Sequence, residues 1–256
     1  MAYDDDLLVT GATGRVAEQL LPAFEGSRGL RLLDRARGPE TDGARWFVGE
    51  LTDRAVLDRA LDGARAVVHL AGNPDPEADW QELQEPNVEG FVALLAAAER
   101  HQVRRVVFAS SVHAMGVYEG SRQWPVDPGR PPAPCCAYGA TKAFDEALAR
   151  TYAYRTGLSL VGLRLGLCTP EATPEEARAG WLGPCDLRDV VRAALTADVR
   201  FGVYPAVSWA SRHRWDLRSA VDELGYRPVR DAGDDVGPVD GESVEVHLAT
   251  CSPARS

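Results

Sequence analysis

The sequence predicts an α/β fold, a doubly wound parallel sheet with a small C-terminal lobe. Short apolar runs alternate with amphipathic stretches along most of the chain, and a glycine-rich turn follows the first apolar run. Strands separated by helices join through right-handed crossovers, which make the sheet parallel and cover both of its faces. The 256 residues suffice for one domain with a large core, or for one domain plus a small lobe.

The period of the apolar residues defines the individual elements. Continuous runs of Val, Leu and Ala are typical of buried strands and predict them at residues 7–10, 30–33, 46–48, 66–70, 106–109 and 158–167. Amphipathic or alanine-rich stretches are typical of helices and predict them at residues 16–24, 54–61, 88–100 and 187–195. A further helix is expected to contain Lys142 and to end near Tyr154.

Composition restricts the class of partner. The chain is 45% hydrophobic and 26% charged and has no long apolar run, which is typical of a globular protein without a membrane span. Its formal net charge of -10 argues against nucleic acid or an anionic membrane as a partner. We therefore expect a small-molecule substrate, and homo-oligomerisation stays open.

The cysteines and the first residues bear on the compartment. The cysteines are five, an odd number, and the adjacent pair Cys135-Cys136 cannot easily bridge to itself, so no disulfide framework is expected. The first ten residues include three aspartates and no basic leader, which predicts no signal peptide. These features indicate a cytoplasmic protein. No His/Cys spacing predicts a metal site.

The turn after the first predicted strand reads Thr10-Gly11-Ala12-Thr13-Gly14-Arg15-Val16-Ala17. Two glycines three positions apart let the backbone turn tightly and approach a pyrophosphate, which then lies at the N-terminus of the next helix. The turn therefore predicts a Rossmann-type dinucleotide site. Its expected cofactor contacts are Gly11, Thr13, Gly14, Arg15 and Val16.

The second predicted strand ends at an acid, Asp34. An acid at this place accepts hydrogen bonds from the adenosine ribose and repels a 2'-phosphate, which favours NAD over NADP. Arg35 and Arg37 follow immediately and could soften that preference. The predicted cofactor is NAD, with NADP as a possibility and Arg35 as a further contact.

The only lysine of the chain, Lys142, stands four residues after Tyr138. One helical turn places the two side chains on the same face, where an ammonium can stabilise a phenolate. Arginine suits this position badly, because its guanidinium is a rigid planar fork while lysine is a compact point charge. Tyr138 is therefore predicted to be a general acid or base.

Further motifs follow one another along the chain: Glu50-Leu51-Thr52-Asp53, His69-Leu70-Ala71-Gly72, Asn87-x-x-Gly90 and Ser110-Ser111. Together with the glycine turn and Tyr138-x-x-x-Lys142, these motifs occur in the order and spacing of the extended short-chain dehydrogenase/reductases, also called the NAD-dependent epimerase/dehydratase superfamily. The chain resembles this superfamily over roughly residues 6–228. The chain most resembles the uronate dehydrogenase group. The stretches that carry this likeness are Ser110-Ser111-Val112-His113, Tyr138-Gly139, Arg164-Leu165-Gly166, Cys168-Thr169-Pro170-Glu171, Trp181-Leu182, Trp215-Asp216 and Leu224-Gly225-Tyr226-Arg227-Pro228.

The resemblance implies roles for individual residues. Tyr138 would exchange a proton with the substrate oxygen, Lys142 would hold the nicotinamide ribose, and Ser111 would hydrogen-bond the reacting carbonyl or alcohol. Asn87 would be part of a proton relay, although it could equally be a helix N-cap. Further implied cofactor contacts are Glu50 and Leu51 at the adenine, and Leu70, Ala71 and Gly72 beneath the cofactor.

The substrate side departs from the uronate dehydrogenase pattern. Val112 stands where such enzymes carry asparagine, and Leu167 and Pro74 stand where they carry serine. Glu176 stands in place of the arginine that binds the sugar carboxylate, so uronate is a poor candidate. Arg178 could replace that arginine if the loop shifts by two residues. The expected substrate contacts are Asn73, Val112, His113, Leu167 and Arg178.

The order of these motifs divides the chain into three regions. Residues 1–168 are predicted to bind the dinucleotide and to carry the Ser/Tyr/Lys set. Residues 169–230 are predicted to form a small substrate-binding lobe packed on them. Residues 231–256 are predicted to be an acidic, flexible tail, because residues 231–245 hold six acids and no base.

The predicted function is an NAD(P)-dependent oxidoreductase that interconverts a secondary alcohol and a ketone on a small cyclic metabolite. A ketoreductase of a specialised biosynthetic pathway, for sugar- or nucleoside-derived natural products, is favoured. Three alternatives stay open: a uronate or aldose dehydrogenase that oxidises C1 to a lactone, a sugar-nucleotide epimerase, and a non-catalytic dinucleotide sensor. Sensors of this type usually lose the tyrosine and lysine, which this chain retains.

Overall fold

A computed structural model of the chain describes residues 6–228, so the predicted tail at 231–256 lies outside the described residues. This part of the chain forms a sheet of seven parallel strands. The strands are β1 (Leu7–Thr10), β2 (Arg31–Asp34), β3 (Arg45–Val48), β4 (Ala66–His69), β5 (Arg105–Ser111), β6 (Ser159–Leu165) and β7 (Phe201–Ala206).

Helices connect and cover the strands. None of those within residues 6–228 is long and apolar enough to cross a membrane. The helices are α1 (Arg15–Leu20), α2 (Arg54–Leu61), α3 (Trp80–Leu83), α4 (Gly90–Arg100), α5 (Gly116–Gly120), α6 (Ala137–Arg155), α7 (Pro174–Gly180), α8 (Pro184–Thr196) and α9 (Arg218–Leu224). Short segments of 3₁₀ helix lie at Leu21–Phe24, Val112–Met115 and Trp209–Ser211, and one of π-helix at Gln84–Glu89.

The strand order is β3-β2-β1-β4-β5-β6-β7. The chain first moves outward from β1 to β3 and then returns to place β4 on the other side of β1. The connections therefore diverge between β1 and β4, and ligands of doubly wound sheets bind in the crevice outside the carboxyl ends of the strands at such a point. The predicted fold class is confirmed.

Apolar residues cover both faces of the sheet, as the parallel pairing requires. Leu7 and Val9 of β1 lie in one core cluster with residues of α1, α8 and α9, whereas Leu8 lies in the other with residues of α2, α4 and α6. Successive residues of a strand point to opposite faces. The two clusters therefore form the two layers that hold the carboxyl ends of the strands in register.

Some elements differ from the sequence expectation. β7 was not predicted, because Gly202 and Pro205 are unfavourable within a strand, but β7 is the last strand of the sheet order and an edge tolerates proline. The helix predicted at 88–100 begins as α4 at Gly90, after a π-helical segment that contains Pro86. The strand predicted at 158–167 ends at Leu165, since Leu167 instead bridges to Trp181.

Candidate active site

Two adjoining cavities of about 640 and 500 Å³ lie at the carboxyl ends of the strands. Both are lined by the Gly11 turn that follows β1 and by the turn that follows β4, so they form one crevice at the point where the strand order reverses. The larger cavity contains the predicted contacts Gly11, Thr13, Gly14, Asp34, Arg35, Glu50, Leu51, Leu70, Ala71 and Gly72. The smaller contains Arg15, Val16, Asn73, Ser111, Val112, His113, Tyr138, Lys142 and Leu167.

The turn after β1 touches the turn after β4 directly. Gly11 has a φ of 70°, and a Cβ at this position would lie 2.5 Å from the backbone nitrogen of Ala71. Only glycine fits both the positive φ and this contact. The Gly14 N–H then donates to the Gly11 carbonyl at 3.0 Å, which closes the turn before α1 begins. The pyrophosphate of a dinucleotide can therefore approach the protein backbone closely at this turn.

Asp34 lies at the end of β2, beside this turn. One of its carboxylate oxygens accepts hydrogen bonds from the backbone N–H and the hydroxyl of Thr13, both at 2.8 Å, and the other accepts from the Arg35 N–H at 2.6 Å. Asp34 thus fixes the glycine turn against β2 as well as lining the cavity. Arg37 forms an exposed ion pair with Glu40 at 2.6 Å.

Asn87 is buried, 1% exposed, and is not a helix N-cap, because it lies inside the π-helical segment. Its side-chain oxygen accepts from the Asn73 N–H at 2.6 Å, and its side-chain nitrogen donates to the Asn73 carbonyl at 3.0 Å. The same nitrogen donates to the Thr141 hydroxyl at 3.2 Å. Asn87 therefore joins the turn after β4 to α6, the helix of Tyr138 and Lys142, instead of lining either cavity.

Tyr138 and Lys142 lie in the first turns of α6 and face the smaller cavity. The Lys142 ammonium is 5.9 Å from the centre of the Tyr138 ring and donates to Asp145 at 3.2 Å. Burial lowers the pKa of Lys142, but the neighbouring Asp145 and Tyr138 raise it by more, so the net shift is upward. Lys142 is therefore a cation at neutral pH.

Ser111 is the last residue of β5 and lines the same cavity. Its hydroxyl oxygen accepts from the His113 N–H at 3.2 Å. The first turn of α6 packs tightly on the residues that follow Ser111, since a Cβ at Gly139 would lie 2.5 Å from the His113 carbonyl oxygen. This close packing brings the start of α6 against the end of β5, and with it Tyr138 to the same cavity as Ser111.

Ser110, the neighbour of Ser111, points into the interior. Its hydroxyl donates to Glu146 at 2.6 Å, and Glu146 also accepts two N–H groups of Arg164 at 2.9 and 2.8 Å. The three side chains are buried. Because successive strand residues alternate between faces, this bidentate ion pair fixes the orientation of β5 that presents Ser111 to the crevice.

His113 packs edge-on against Tyr138, with the two ring centres 5.7 Å apart. Burial lowers the pKa of His113, so its ring is neutral beside the phenol. His113 Nδ1 also lies 3.7 Å from Cys135 Sγ and 3.5 Å from Cys136 Sγ, a grouping that sequence spacing did not reveal. Cys136 is a free thiol.

Part of the wall of the smaller cavity is apolar. Val112 is buried, and Leu167 is 37% exposed. The acid on this wall is Glu176, which forms a capping box with Thr173 at the start of α7. The backbone and hydroxyl hydrogen bonds from Thr173 lower the pKa of Glu176, so it is ionised at neutral pH. The lining residues of this wall include Pro74, Pro76, Val112, Leu167, Glu176 and Ala179.

Arg178 is the predicted contact that the structure does not bring to the crevice. It is exposed in the last turn of α7, and it lines neither cavity. Residues two apart on a helix point in nearly opposite directions, so Arg178 faces away where Glu176 faces the cavity. A two-residue loop shift therefore does not supply the missing arginine.

The residues of the crevice fit a nicotinamide dinucleotide. The absence of a side chain at Gly11 lets a pyrophosphate approach the backbone, and Asp34 offers an acceptor for the adenosine ribose. Lys142 and Tyr138 line the smaller cavity, which adjoins the cavity of Asp34. A sheet of this order with a cofactor crevice and a Ser/Tyr/Lys set defines the class, the NAD-dependent oxidoreductases of the extended short-chain type.

The chain belongs to the NAD dependent epimerase/dehydratase family, whose model matches residues 7–177. It is 33% identical over 245 residues to NAD-dependent glucose-6-phosphate dehydrogenase of Haloferax volcanii, covering 88% of this chain and 93% of that protein. It is 29% identical over 245 residues to L-arabinose 1-dehydrogenase (NAD(P)(+)) of the same organism, covering 87% and 95%.

A solved structure gives the same likeness. A mutant of uronate dehydrogenase from Agrobacterium tumefaciens, complexed with NAD, superposes with a TM-score of 0.80 at 29% identity, covering 90% of this chain and 87% of that one. The predictions of the superfamily, of an enzyme and of NAD as cofactor are confirmed. The chain is thus an NAD-dependent oxidoreductase in a family of sugar dehydrogenases and epimerases.

The residues that sequence reasoning missed lie beneath the ones it found. Asp145 pairs with Lys142, Glu146 pairs with Arg164, and Thr141 binds Asn87. A signal for the first two existed, because Asp145 and Glu146 stand three and four positions after Lys142 and so lie near it on the helix. The contact between Asn87 and Thr141 joins residues 54 positions apart, and no local pattern reveals it.

Proposed function

We propose that this chain uses NAD(H) to interconvert one secondary alcohol and its ketone on a small cyclic molecule that is neutral or cationic. The observation that carries the proposal is the composition of the smaller cavity, which is lined by Ser111, Tyr138 and Lys142 together with apolar residues and Glu176. A ketoreductase of a specialised biosynthetic pathway is the form we favour.

The three polar residues divide the chemistry between them. Tyr138 is the group that gives a proton to the substrate oxygen or takes it away. Lys142, a buried cation, stabilises the phenolate form and holds the nicotinamide ribose. Ser111 donates a hydrogen bond to the reacting oxygen. When bound, NAD supplies the hydride acceptor, and NADH the donor, at the nicotinamide ring.

The charge of the cavity supports the choice of substrate class. Glu176 is ionised and would repel a carboxylate or phosphate on the substrate. The cations of the same cavity, Arg15 and Lys142, stand at the glycine turn and beside the tyrosine, where the cofactor phosphates and ribose would engage them. Val112 and Leu167 offer apolar contact in place of hydrogen bonds to hydroxyls.

The second candidate is oxidation of a neutral aldose at C1 to a lactone. Its support comes from the relatives, which include an L-arabinose 1-dehydrogenase, named for a neutral sugar. Both candidates use the same three residues and differ in which carbon faces Tyr138. In both, we assign cofactor binding to residues 1–168, and residues 169–230 contribute Glu176 and Ala179 to the substrate wall.

A turnover panel tests the proposal. Purified protein is assayed for NADH formation with neutral aldoses and cyclic alcohols, and for NADH consumption with neutral cyclic ketones, with Tyr138→Phe as the blank. We expect activity on neutral compounds that the blank lacks. Reduction of ketones without oxidation of aldoses selects the ketoreductase, and the reverse selects the C1 dehydrogenase. Activity on neither, beside efficient turnover of a uronate or sugar phosphate, contradicts the proposal.

A further inference from the structure

Asp145 lies one helical turn beyond Lys142 on α6 and forms a buried ion pair with it. The Lys142 ammonium donates to one carboxylate oxygen of Asp145 at 3.2 Å, and the two side chains are 6% and 1% exposed. The other oxygen of Asp145 is buried without a hydrogen-bond partner among the described atoms. A buried carboxylate with an unsatisfied oxygen is costly, so packing alone does not account for it.

The next residue shows what a purely structural buried acid looks like in the same helix. Glu146 accepts two N–H groups from Arg164 of β6 and the hydroxyl of Ser110 of β5, and so ties α6 to two strands. Among the described residues, Asp145 has a hydrogen bond to Lys142 alone. Its partner is therefore a residue of the site, on its own helix.

We propose that Asp145 is a positioning residue for proton transfer at Tyr138: it holds the Lys142 ammonium and determines how much of that positive charge the phenol senses. The inference rests on the proposed roles of Tyr138 and Lys142. An ammonium shared between two acids stabilises each of them less than it would stabilise one. An ionised Asp145 therefore opposes phenolate formation at Tyr138, and a neutral side chain at position 145 favours it.

The other ionisable groups around the phenol are neutral, paired or exposed. From β4, His69 is buried and its pKa is lowered to about 3, and His113 after β5 is neutral. Arg164 from β6 is paired with Glu146. On the side of α3 the acids are exposed, and the smaller cavity is also lined by the exposed Arg15 and the partly exposed Glu176. The α3-side acids are Glu82, Glu85 and Glu89.

The charge of Asp145 itself changes within the working range. Burial raises the pKa of Asp145 to about 6, against the opposing effect of Lys142. A carboxyl group with a raised pKa is protonated below that value and ionised above it. Above about pH 6, Asp145 is therefore the anion that competes with the phenolate for Lys142.

The test measures tyrosinate formation at Tyr138 directly. Ultraviolet difference titrations of the NAD-saturated protein are recorded for the wild type and for Asp145→Asn, each against the same protein carrying Tyr138→Phe, which isolates this one phenol. We expect Asp145→Asn to move the midpoint to lower pH by about one unit or more, the size of effect that one nearby charge exerts. Asp145→Glu keeps the charge, so its midpoint should differ from that of the wild type by less than about a third of that shift.

Control variants separate charge from structure. Thr141→Val alters a buried side chain of the same helix without changing any charge and should leave the midpoint in place. Should Asp145→Asn fail to fold, Asp145→Ser removes the charge with a smaller side chain and should give the same direction of shift. An unchanged midpoint in every folded neutral variant overturns the inference, and so does an equal shift in Thr141→Val.

A failure of the inference differs from a failure of the proposed function. If Tyr138→Phe retains turnover, then Tyr138 is not the proton-transfer residue and the mechanism of the proposed function is wrong. If Tyr138→Phe is inactive while neutral variants at 145 leave the midpoint unchanged, only the role of Asp145 is wrong. As a second readout, the basic limb of the kcat/KM profile of Asp145→Asn should move to lower pH with the midpoint, which a merely structural role would not cause.

Discussion

Glu176 accepts the backbone N–H of Thr173 at 2.8 Å and its hydroxyl at 2.9 Å, and the same glutamate lines the cavity that Tyr138 faces. A capping box satisfies N–H groups at a helix start that would otherwise lack partners, so the acid stabilises α7. The capping bonds also lower its pKa. The negative charge that we expect to select the substrate is therefore held in place by the fold.

Glu176→Gln should raise kcat/KM for uronates relative to neutral sugars by roughly fivefold, because a partly exposed charge pair contributes modestly. Glutamine also completes a capping box, so the thermal midpoint should stay near that of the wild type. The matched control is Arg178→Gln, which removes an exposed charge two residues away and should leave the ratio unchanged. A ratio that responds to Arg178→Gln and not to Glu176→Gln would mean that we have assigned the wrong residue of α7.

Asp34→Asn should shift the cofactor preference toward NADP, because the carboxylate charge that repels a 2'-phosphate is lost while an oxygen remains to accept from Thr13. We expect the ratio of the two dissociation constants to move by roughly tenfold or more in calorimetric titrations. Arg37→Gln, whose arginine is paired with Glu40 on the surface, serves as the control and should change little. Preference of the wild type for NADPH would show that Arg35 outweighs Asp34.

Tyr138→Phe should lower kcat by about a hundredfold or more, the usual contribution of general acid or base catalysis. Cofactor affinity should stay nearly unchanged, since the phenol acts in proton transfer and contributes little to ground-state binding. Tyr118→Phe is the control, because that phenol donates to the Pro131 carbonyl at 3.1 Å outside the crevice. A Tyr138→Phe enzyme with more than about a tenth of the wild-type rate is incompatible with this role.

Arg164→Met should destabilise the fold by about 3–5 kcal/mol in urea unfolding, because it leaves Glu146 as an unpaired buried charge. The double variant Arg164→Met/Glu146→Met should recover much of that loss, since an apolar pair replaces the ion pair. The exposed ion pair of Arg37 with Glu40 provides the control. Arg37→Met should change the free energy of unfolding by less than about 1 kcal/mol. Equal losses in the single and double variants would show that the loss does not come from an unpaired charge at Glu146.

The parts of the fold that follow from local pattern could be predicted from the sequence. β1 and α2 begin and end where the apolar period places them, and Asp53 caps α2 by accepting from the Ala55 and Val56 N–H groups. β7 could not be predicted, because its glycine and proline are acceptable only at an edge, and the position of a strand in the sheet is a tertiary property.

The site divides in the same way. Gly11 and Gly14 stand three positions apart, and Tyr138 and Lys142 stand four apart. Each pair is therefore visible as a local pattern in the sequence. Asn87 was given two roles from the sequence, an N-cap or a proton relay, and the structure places it as a link between Asn73 and Thr141. Arg178 lies outside both cavities, and the sequence did not show this because the helix at residues 174–180 was not predicted.

The most direct test of the proposed function compares each neutral substrate with its carboxylate counterpart. NADH formation is measured with D-galactose and D-galacturonate and with D-glucose and D-glucuronate, and NADH consumption with a neutral cyclic ketone and its carboxylated analogue, each against Tyr138→Phe. We expect the neutral member of at least one pair to be turned over above the blank and faster than its acid. Faster turnover of the acid in any pair, or no neutral substrate above the blank, would contradict a neutral or cationic substrate for this enzyme.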